Sequence, residues 1–181
     1  MTPERTEEEE KWAGRTKSVK DGFGTYNLKA KQPGGLDIRE AAMKYKRMDR
    51  TYVVRIDLNE EIVESLGRLC EQEGIRLARV SAIGAANGGE IGVYDLASRI
   101  YHREELEEFM EITSLSGSVT TMEGKPYIHL HATLADANHA VHGGHVIRLR
   151  VGATCEMFVD VLEGSVDRKR DEALGINLWE F

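Results

Sequence analysis

The chain has 181 residues, is 41% hydrophobic and carries a net charge of −7. This composition supplies enough apolar material for one folded domain and excludes a wholly disordered chain. No apolar run approaches the roughly 20 residues that span a bilayer, so we expect no membrane segment. The charged N-terminus lacks the apolar core of a secretory signal, and Cys70 and Cys155 have no metal-ligand spacing. We therefore predict a cytoplasmic protein whose two thiols are reduced and buried.

The charge is unevenly distributed along the chain. Residues 1–50 contain 12 Lys+Arg and 9 Asp+Glu, a net +3, whereas residues 51–181 contain 12 and 22, a net −10. An acidic region repels phosphate backbones and gains nothing from counterion release. This argues against nucleic-acid binding by the core and leaves such binding open for the basic N-terminal segment.

The first 47 residues are predicted to form an arm, extended or partly disordered, ahead of a domain that covers residues 48–181. No apolar periodicity persists in the arm, and charge-rich segments with few apolar residues seldom pack. Trp12, Phe23 and Tyr26 could still anchor it on the domain or on a neighbouring subunit.

The domain begins with an alternating strand at residues 52–57. A helix follows, with Asn59 as the predicted N-cap and Gly74 as its end. From residue 75 onward the pattern is one of strands separated by glycines, with a hairpin turn at Asn87-Gly88-Gly89 and a bend or bulge at Gly152. One helix and about seven strands with short connections predict an α+β fold, an antiparallel sheet or partial barrel with one flanking helix.

Five of the six histidines lie within residues 127–146. His129 and His131 alternate with apolar residues, which is typical of a half-buried strand, and side chains two apart on a strand share one face. Gly143-Gly144 would let the chain turn and bring in His145 from a neighbouring strand. Three imidazoles with an open fourth position suit zinc, so we predict a metal site.

The periodicity raises a difficulty with the third histidine. His145 alternates in phase with Leu149 and Val151, whereas His129 alternates out of phase with its apolar neighbours. A bulge at Gly143-Gly144 would bring all three imidazoles onto one face. The alternative is a polar pocket between subunits that holds no metal.

Glu156 is the best acid–base candidate, because its strand is expected to lie beside His145. It could equally orient a ligating imidazole. Asp136 and His142 could cover the site from the connecting loop. We expect His139 to be on the surface and His102 to have no chemical role. Further candidates are Tyr94, Asp95 and Arg148.

Several stretches, in this order, resemble the Plants and Prokaryotes Conserved (PPC, or DUF296) domain of the prokaryotic single-domain type. They are Ala82-Ile83-Gly84-Ala85, Ile91-Gly92-Val93-Tyr94-Asp95, Glu111–Val119, Ile128–Leu134 with Gly143-Gly144-His145-Val146, Thr154-Cys155-Glu156-Met157 and Asp171–Leu178.

The resemblance implies a homotrimer. It also implies the same three histidines, in a fold similar to acetolactate decarboxylase, a zinc enzyme with a histidine pair plus a third histidine. Plant members of the family add an AT-hook for DNA, which this sequence lacks.

Three functional hypotheses follow. The first is a metal protein that binds or acts on a small carboxylate- or carbonyl-bearing molecule, and if it is an enzyme we expect a metal-dependent lyase or hydrolase. The second is a DNA-binding, transcription-associated protein without an AT-hook. The third is a trimerisation or interaction module.

Overall fold

A long antiparallel sheet organises the domain in the computed structural model, which describes residues 17–21, 24–28 and 43–181. Strands β1 (Lys17–Asp21) and β2 (Gly24–Leu28) pair with each other as a separate two-stranded sheet. The side chains of Trp12, Phe23 and Tyr26, which were predicted to anchor the arm, lie outside what the structure describes.

The domain contains one helix and eight strands within residues 43–181. They are β3 (Lys44–Met48), β4 (Thr51–Asp57), α1 (Ile62–Glu73), β5 (Ala78–Asp95), β6 (Ile100–Met122), β7 (Lys125–Ala135), β8 (Val141–Val161), β9 (Asp167–Asp171) and β10 (Ile176–Glu180). Because β3 pairs with β4, the sheet already includes residues 44–48, which the sequence had placed mainly in the arm.

The strand order is β10-β9-β6-β5-β8-β4-β3, and β7 pairs with both β6 and β8. Strands β5, β6, β7 and β8 thereby close a partial ring, while β4 and β3 extend the sheet from β8. The pairings are antiparallel except for one parallel bridge between Thr121 and Asp167. The predicted α+β class and partial barrel are confirmed.

Helix α1 lays one apolar face on the sheet, against β7 and β8. Ile62, Leu66 and Leu69 are fully buried on that face, as the 3.6-residue period requires. The helix ends as predicted at Gly74, in the left-handed conformation with φ 66°. Its N-cap is Glu61 rather than Asn59, because the Glu61 carboxylate accepts a hydrogen bond from the Glu64 backbone N–H. No helix in the described ranges is long and apolar enough to cross a membrane.

The predicted hairpin turn in β5 is wrong, because this strand runs through its glycines without turning. Asn87-Gly88-Gly89 lies inside β5, where the pairing with β6 shifts register, so it forms a bulge rather than a hairpin turn. A Cβ on Gly89 would lie 2.6 Å from the backbone oxygen of Arg148, so glycine is needed for close strand approach. At Gly152 the register of β8 with β5 shifts between Gly84 and Ala86, which agrees with the predicted bend or bulge. The strand nevertheless continues through this glycine, so β8 is one strand and not the two that were predicted.

Cys70 and Cys155 are free and buried, as predicted. Burial raises the pKa of each thiol to about 12, so neither forms a thiolate at neutral pH.

Candidate metal centre

Strands β7 and β8 bring His129, His131 and His145 together. His131 and His145 lie directly opposite each other in the β7–β8 pairing, and His129 is two residues along β7 on the same face. The ring centroids are 5.0 to 5.6 Å apart. One nitrogen from each ring lies within 4.8 Å of the others. The three imidazoles can therefore face a single ion.

The bulge that reconciles the three imidazoles lies at Ile147, not at Gly143-Gly144. In the β5–β8 pairing Glu90 is opposite Arg148 and Ile91 is opposite Val146, so Ile147 is the extra residue. Beyond it the buried positions of β8 change phase, which leaves Leu149 inside and His145 on the side of His131.

The glycine pair has a different role from the predicted turn. Gly143 and Gly144 lie within β8, and a Cβ on Gly144 would lie 2.8 Å from the backbone oxygen of Gly92 on β5. The glycines therefore allow β8 to approach its neighbours next to His145. The reversal of the chain occurs before them, where the Asp136 carboxylate accepts hydrogen bonds from the backbone N–H groups of Asn138 and Ala140.

The surroundings of the histidines keep two of the imidazoles neutral. Burial lowers the pKa of His129 to about 4, with further contributions from His145, Arg168 and His131. Burial and the neighbouring His131 and Arg168 also lower the pKa of His145. Both rings therefore have a free nitrogen lone pair at neutral pH, which is the form that binds metals.

The donor set fits a zinc ion. Two nitrogens bound to one tetrahedral zinc lie roughly 3.4 Å apart, given Zn–N bonds of about 2.0–2.1 Å. The histidine nitrogens lie within 4.8 Å of one another, so small ring rotations would bring them to that separation. Neutral nitrogen ligands also suit zinc better than the oxygen-preferring Mg²⁺ or Ca²⁺.

The histidines open into a pocket of about 550 Å³. Besides the histidines, its lining residues are Gly92, Val93, Tyr94, Tyr101, Tyr127, Gly144, Arg168, Arg170, Gly175, Ile176 and Asn177. None of them is an aspartate or a glutamate. The ring of Tyr101 lies 5.8 Å from that of His145, so an aromatic wall adjoins the three histidines.

Arg168 is the pocket residue that sequence reasoning missed most clearly. Its side chain is only 8% exposed, and its Nη2 lies 3.3 Å from Nδ1 of His129. The sequence gives little indication that Arg168 is buried, because it lies in the charged run Asp167–Asp171. Nothing in that run distinguishes it from Lys169 or Arg170.

The structure does not bring Glu156 to the histidines within one chain. Glu156 and His145 share strand β8, eleven positions apart, a separation of at most roughly 36 Å along the extended chain. Glu156 is exposed and lines a different pocket, with Lys44, Arg55 and Phe158 among its neighbours. The predicted proximity of Glu156 to His145 was wrong, because residues 146–151 and 153–162 were predicted to be two adjacent strands. Both segments belong to the single strand β8.

The other loop and strand candidates lie outside the histidine pocket. His142 contacts Glu104 through Nδ1 at 2.7 Å and lies 3.9 Å from Asp136 through Nε2. His139 is exposed, as predicted. His102 is exposed as well, and it pairs with Val93 across β5 and β6.

Of the three further candidates, only Tyr94 lines the histidine pocket. Its hydroxyl donates to the backbone oxygen of Leu174 at 2.9 Å. Asp95 accepts hydrogen bonds from the turn that follows β5, and these bonds lower the pKa of its carboxyl group. Arg148 pairs with Glu105 and Glu90 elsewhere on the surface.

The partial ring and its histidine strands belong to a region that matches a known protein family. The model of the Plants and Prokaryotes Conserved domain matches residues 43–163, more than half of the chain. The chain belongs to this family. The match begins next to β3 and ends just after β8, so it includes the partial ring and the three histidines. Among curated proteins none matched the sequence.

Solved structures of similar fold include three informative relatives. A candidate DNA-binding protein from Bacteroides thetaiotaomicron is 26% identical with a TM-score of 0.75, covering 77% of this chain and 98% of its own. A metal-containing protein from Archaeoglobus fulgidus is 35% identical with a TM-score of 0.70, at the same coverages of 77% and 98%. A PPC protein from Pyrococcus horikoshii is 27% identical with a TM-score of 0.68, covering 77% and 94%. The similarity to acetolactate decarboxylase stays a prediction.

Proposed function

We propose that the protein binds one zinc ion through His129, His131 and His145 and uses this centre to bind or transform a small molecule. The observation that carries the proposal is the convergence of the three imidazole nitrogens within 4.8 Å in an open pocket. The similar protein from Archaeoglobus fulgidus, described as metal-containing, supports it.

A zinc ion held by three histidines would supply Lewis-acid chemistry at its fourth position. The chain's own residues would do the rest. His129 and His145 are kept neutral by burial and so hold the ion without proton competition at neutral pH. Tyr101 and Tyr127 form aromatic walls that would limit water around a bound molecule. A metal-dependent lyase or hydrolase activity and a cytoplasmic location remain predictions.

Metal analysis of the purified protein tests this proposal. We expect about one zinc per chain by inductively coupled plasma mass spectrometry after dialysis against metal-free buffer, because three preoriented imidazoles are a ligand set of catalytic zinc sites. Protein supplied with equal zinc, manganese and magnesium should retain zinc. Protein that retains no transition metal under these conditions would contradict the proposal.

We also propose that the protein assembles as a homotrimer, as the family resemblance implies. Val53 and Phe158 are neighbours across β4 and β8, and Ile83 follows on β5. All three are exposed on the outer face of the sheet, which is an apolar surface suited to contact between subunits. Light scattering should give a mass of three chains, and a monomer at micromolar concentration would contradict this assembly.

DNA binding is the second candidate function, because similar structures from two bacteria are described as candidate DNA-binding proteins. The net charge of −10 in residues 51–181 disfavours binding by the domain, so the +3 segment of residues 1–50 would have to carry it. A gel-shift titration at low and physiological salt, with the whole chain and with residues 43–181, separates these cases. Failure of both to bind at low salt would remove this function.

A further inference from the structure

Arg168 is a buried cation that has no carboxylate partner among residues 43–181. The surface arginines Arg79, Arg103 and Arg148 each form an ion pair with an aspartate or glutamate. Arg168 forms none with the described residues, although it is the most deeply buried arginine among them, at 8% exposure. A buried charge is ordinarily paired, since the cost of removing it from water is large. An anion that enters the pocket would supply the missing partner.

Neighbouring groups hold the guanidinium of Arg168 rigidly in place. Its Nε donates to Thr120 Oγ1 at 2.8 Å and one Nη donates to the backbone oxygen of Asn177 at 2.9 Å. The guanidinium carbon lies 4.6 Å from the ring centroid of Tyr127. A guanidinium has five N–H donors, so these bonds and the contact with His129 leave donors without an acceptor. A guanidinium held in a fixed orientation suits a carboxylate, because the planar fork of its N–H donors can bind both carboxylate oxygens.

The charge of the pocket also favours an anion. Arg168 and Arg170 line it, no acidic residue of the described ranges does, and a bound zinc would add two further positive charges. This positive pocket lies in a chain whose net charge is −7, so it is a local feature and not a general property of the surface. A neutral or cationic ligand would leave these charges uncompensated.

The walls of the pocket indicate that the anion has an organic body. Tyr94, Tyr101 and Tyr127 supply aromatic surface, and Val93 and Ile176 add aliphatic surface. Inorganic phosphate gains little from such walls, whereas a carboxylate with an apolar body buries that body against them. The volume of about 550 Å³ is within the range of small-molecule sites.

We propose that Arg168 binds the carboxylate of a small organic anion and holds it beside His129, His131 and His145. This inference rests on the proposed function, because it takes the histidine cluster as the metal centre at which the anion is bound. It adds the class of ligand, a small monocarboxylate with an apolar body, and names the residue that recognises it.

Calorimetric titration of the zinc-loaded, full-length protein tests the inference. The probes are carboxylates of two sizes, propionate and benzoate, each paired with its uncharged amide, and inorganic phosphate. We expect at least one carboxylate to bind more tightly than its amide and than phosphate. We expect Arg168→Gln to weaken that carboxylate roughly 10- to 100-fold, which is typical of a lost hydrogen bond to a charged group. Arg168→Lys should also weaken it, since lysine cannot form the bidentate fork.

Arg103→Gln is the matched control, because Arg103 is an exposed arginine that pairs with Glu90 outside the pocket. It should bind the carboxylate as the wild type does.

Metal content is measured in every sample, so that failure of the proposed function can be distinguished from failure of this inference. A wild type without zinc overturns the proposed function and this inference with it. A zinc-loaded wild type that binds amide or phosphate as tightly as carboxylate overturns the inference alone, even if Arg168→Gln does not fold. Unchanged affinity in a zinc-loaded Arg168→Lys or Arg168→Gln also overturns it.

Discussion

Replacing His131 with alanine is expected to lower the zinc affinity by at least about 100-fold. Loss of a group that merely supports a metal ligand already costs about 10- to 100-fold, and His131 would be a direct ligand. Its side chain is exposed at the mouth of the pocket, so the substitution removes no core contact and should leave the fold intact. Competition against a chromophoric zinc chelator measures the affinity, and circular dichroism verifies the fold.

His142→Ala provides the control for this experiment. His142 is also on β8, three residues before His145, but it is one residue out of phase and contacts Glu104 and Asp136 instead. Its removal should change the zinc affinity by less than about threefold, within the scatter expected for a residue outside the site. Equal affinities for His131→Ala and His142→Ala would contradict the three-histidine centre.

The three histidines could be predicted from the sequence because their geometry is mostly local. A period of two places His129 and His131 on one face, whatever the rest of the sheet does. The partner strand had to follow after a short connection, which made His145 its natural neighbour. The location of the bulge was not predictable, because an extra residue such as Ile147 carries no side-chain signature.

Glycines misled the prediction of strand length. The same residue is required at a turn and wherever two backbones approach closely, and a single sequence does not separate these causes. Gly88, Gly89 and Gly152 all lie inside long strands. Dividing β8 into two strands then led directly to the wrong placement of Glu156, whereas the fold class survived because it depends only on the succession of strands.

Arg168 was missed because its position depends on long-range topology. It follows His131 by 37 residues, in a short strand that meets β6 through the single bridge between Thr121 and Asp167. No periodic pattern connects β9 with the histidine strand. Which arginine of the charged run is buried depends on how the sheet assembles, and only the folded chain reveals that it is Arg168.

Replacing Gly117 with alanine is expected to lower the free energy of unfolding by roughly 3 kcal/mol or more. A Cβ at this position would lie 1.9 Å from the backbone oxygen of His129 and 2.9 Å from Cα of Leu130. Overpacking typically costs about 1–3 kcal/mol, and here the obstacle is backbone that cannot rotate away. The added methyl group would push β6 away from β7 next to His129, which is a proposed zinc ligand. The zinc affinity should therefore fall as well. Urea unfolding of the metal-free protein measures the first effect, and chelator competition measures the second.

Gly67→Ala is the matched control for Gly117→Ala, since it adds the same methyl group where no atom lies within 4 Å. Gly67 is inside helix α1, so alanine there should raise the free energy of unfolding by about 0.5–1 kcal/mol. The two substitutions thus have opposite expected signs for the same chemical change. If Gly117→Ala were as stable as the wild type, β6 and β7 could not approach as closely as the structure shows. The position of His129, and with it the ability of the three histidines to share one ion, would then lose its physical basis.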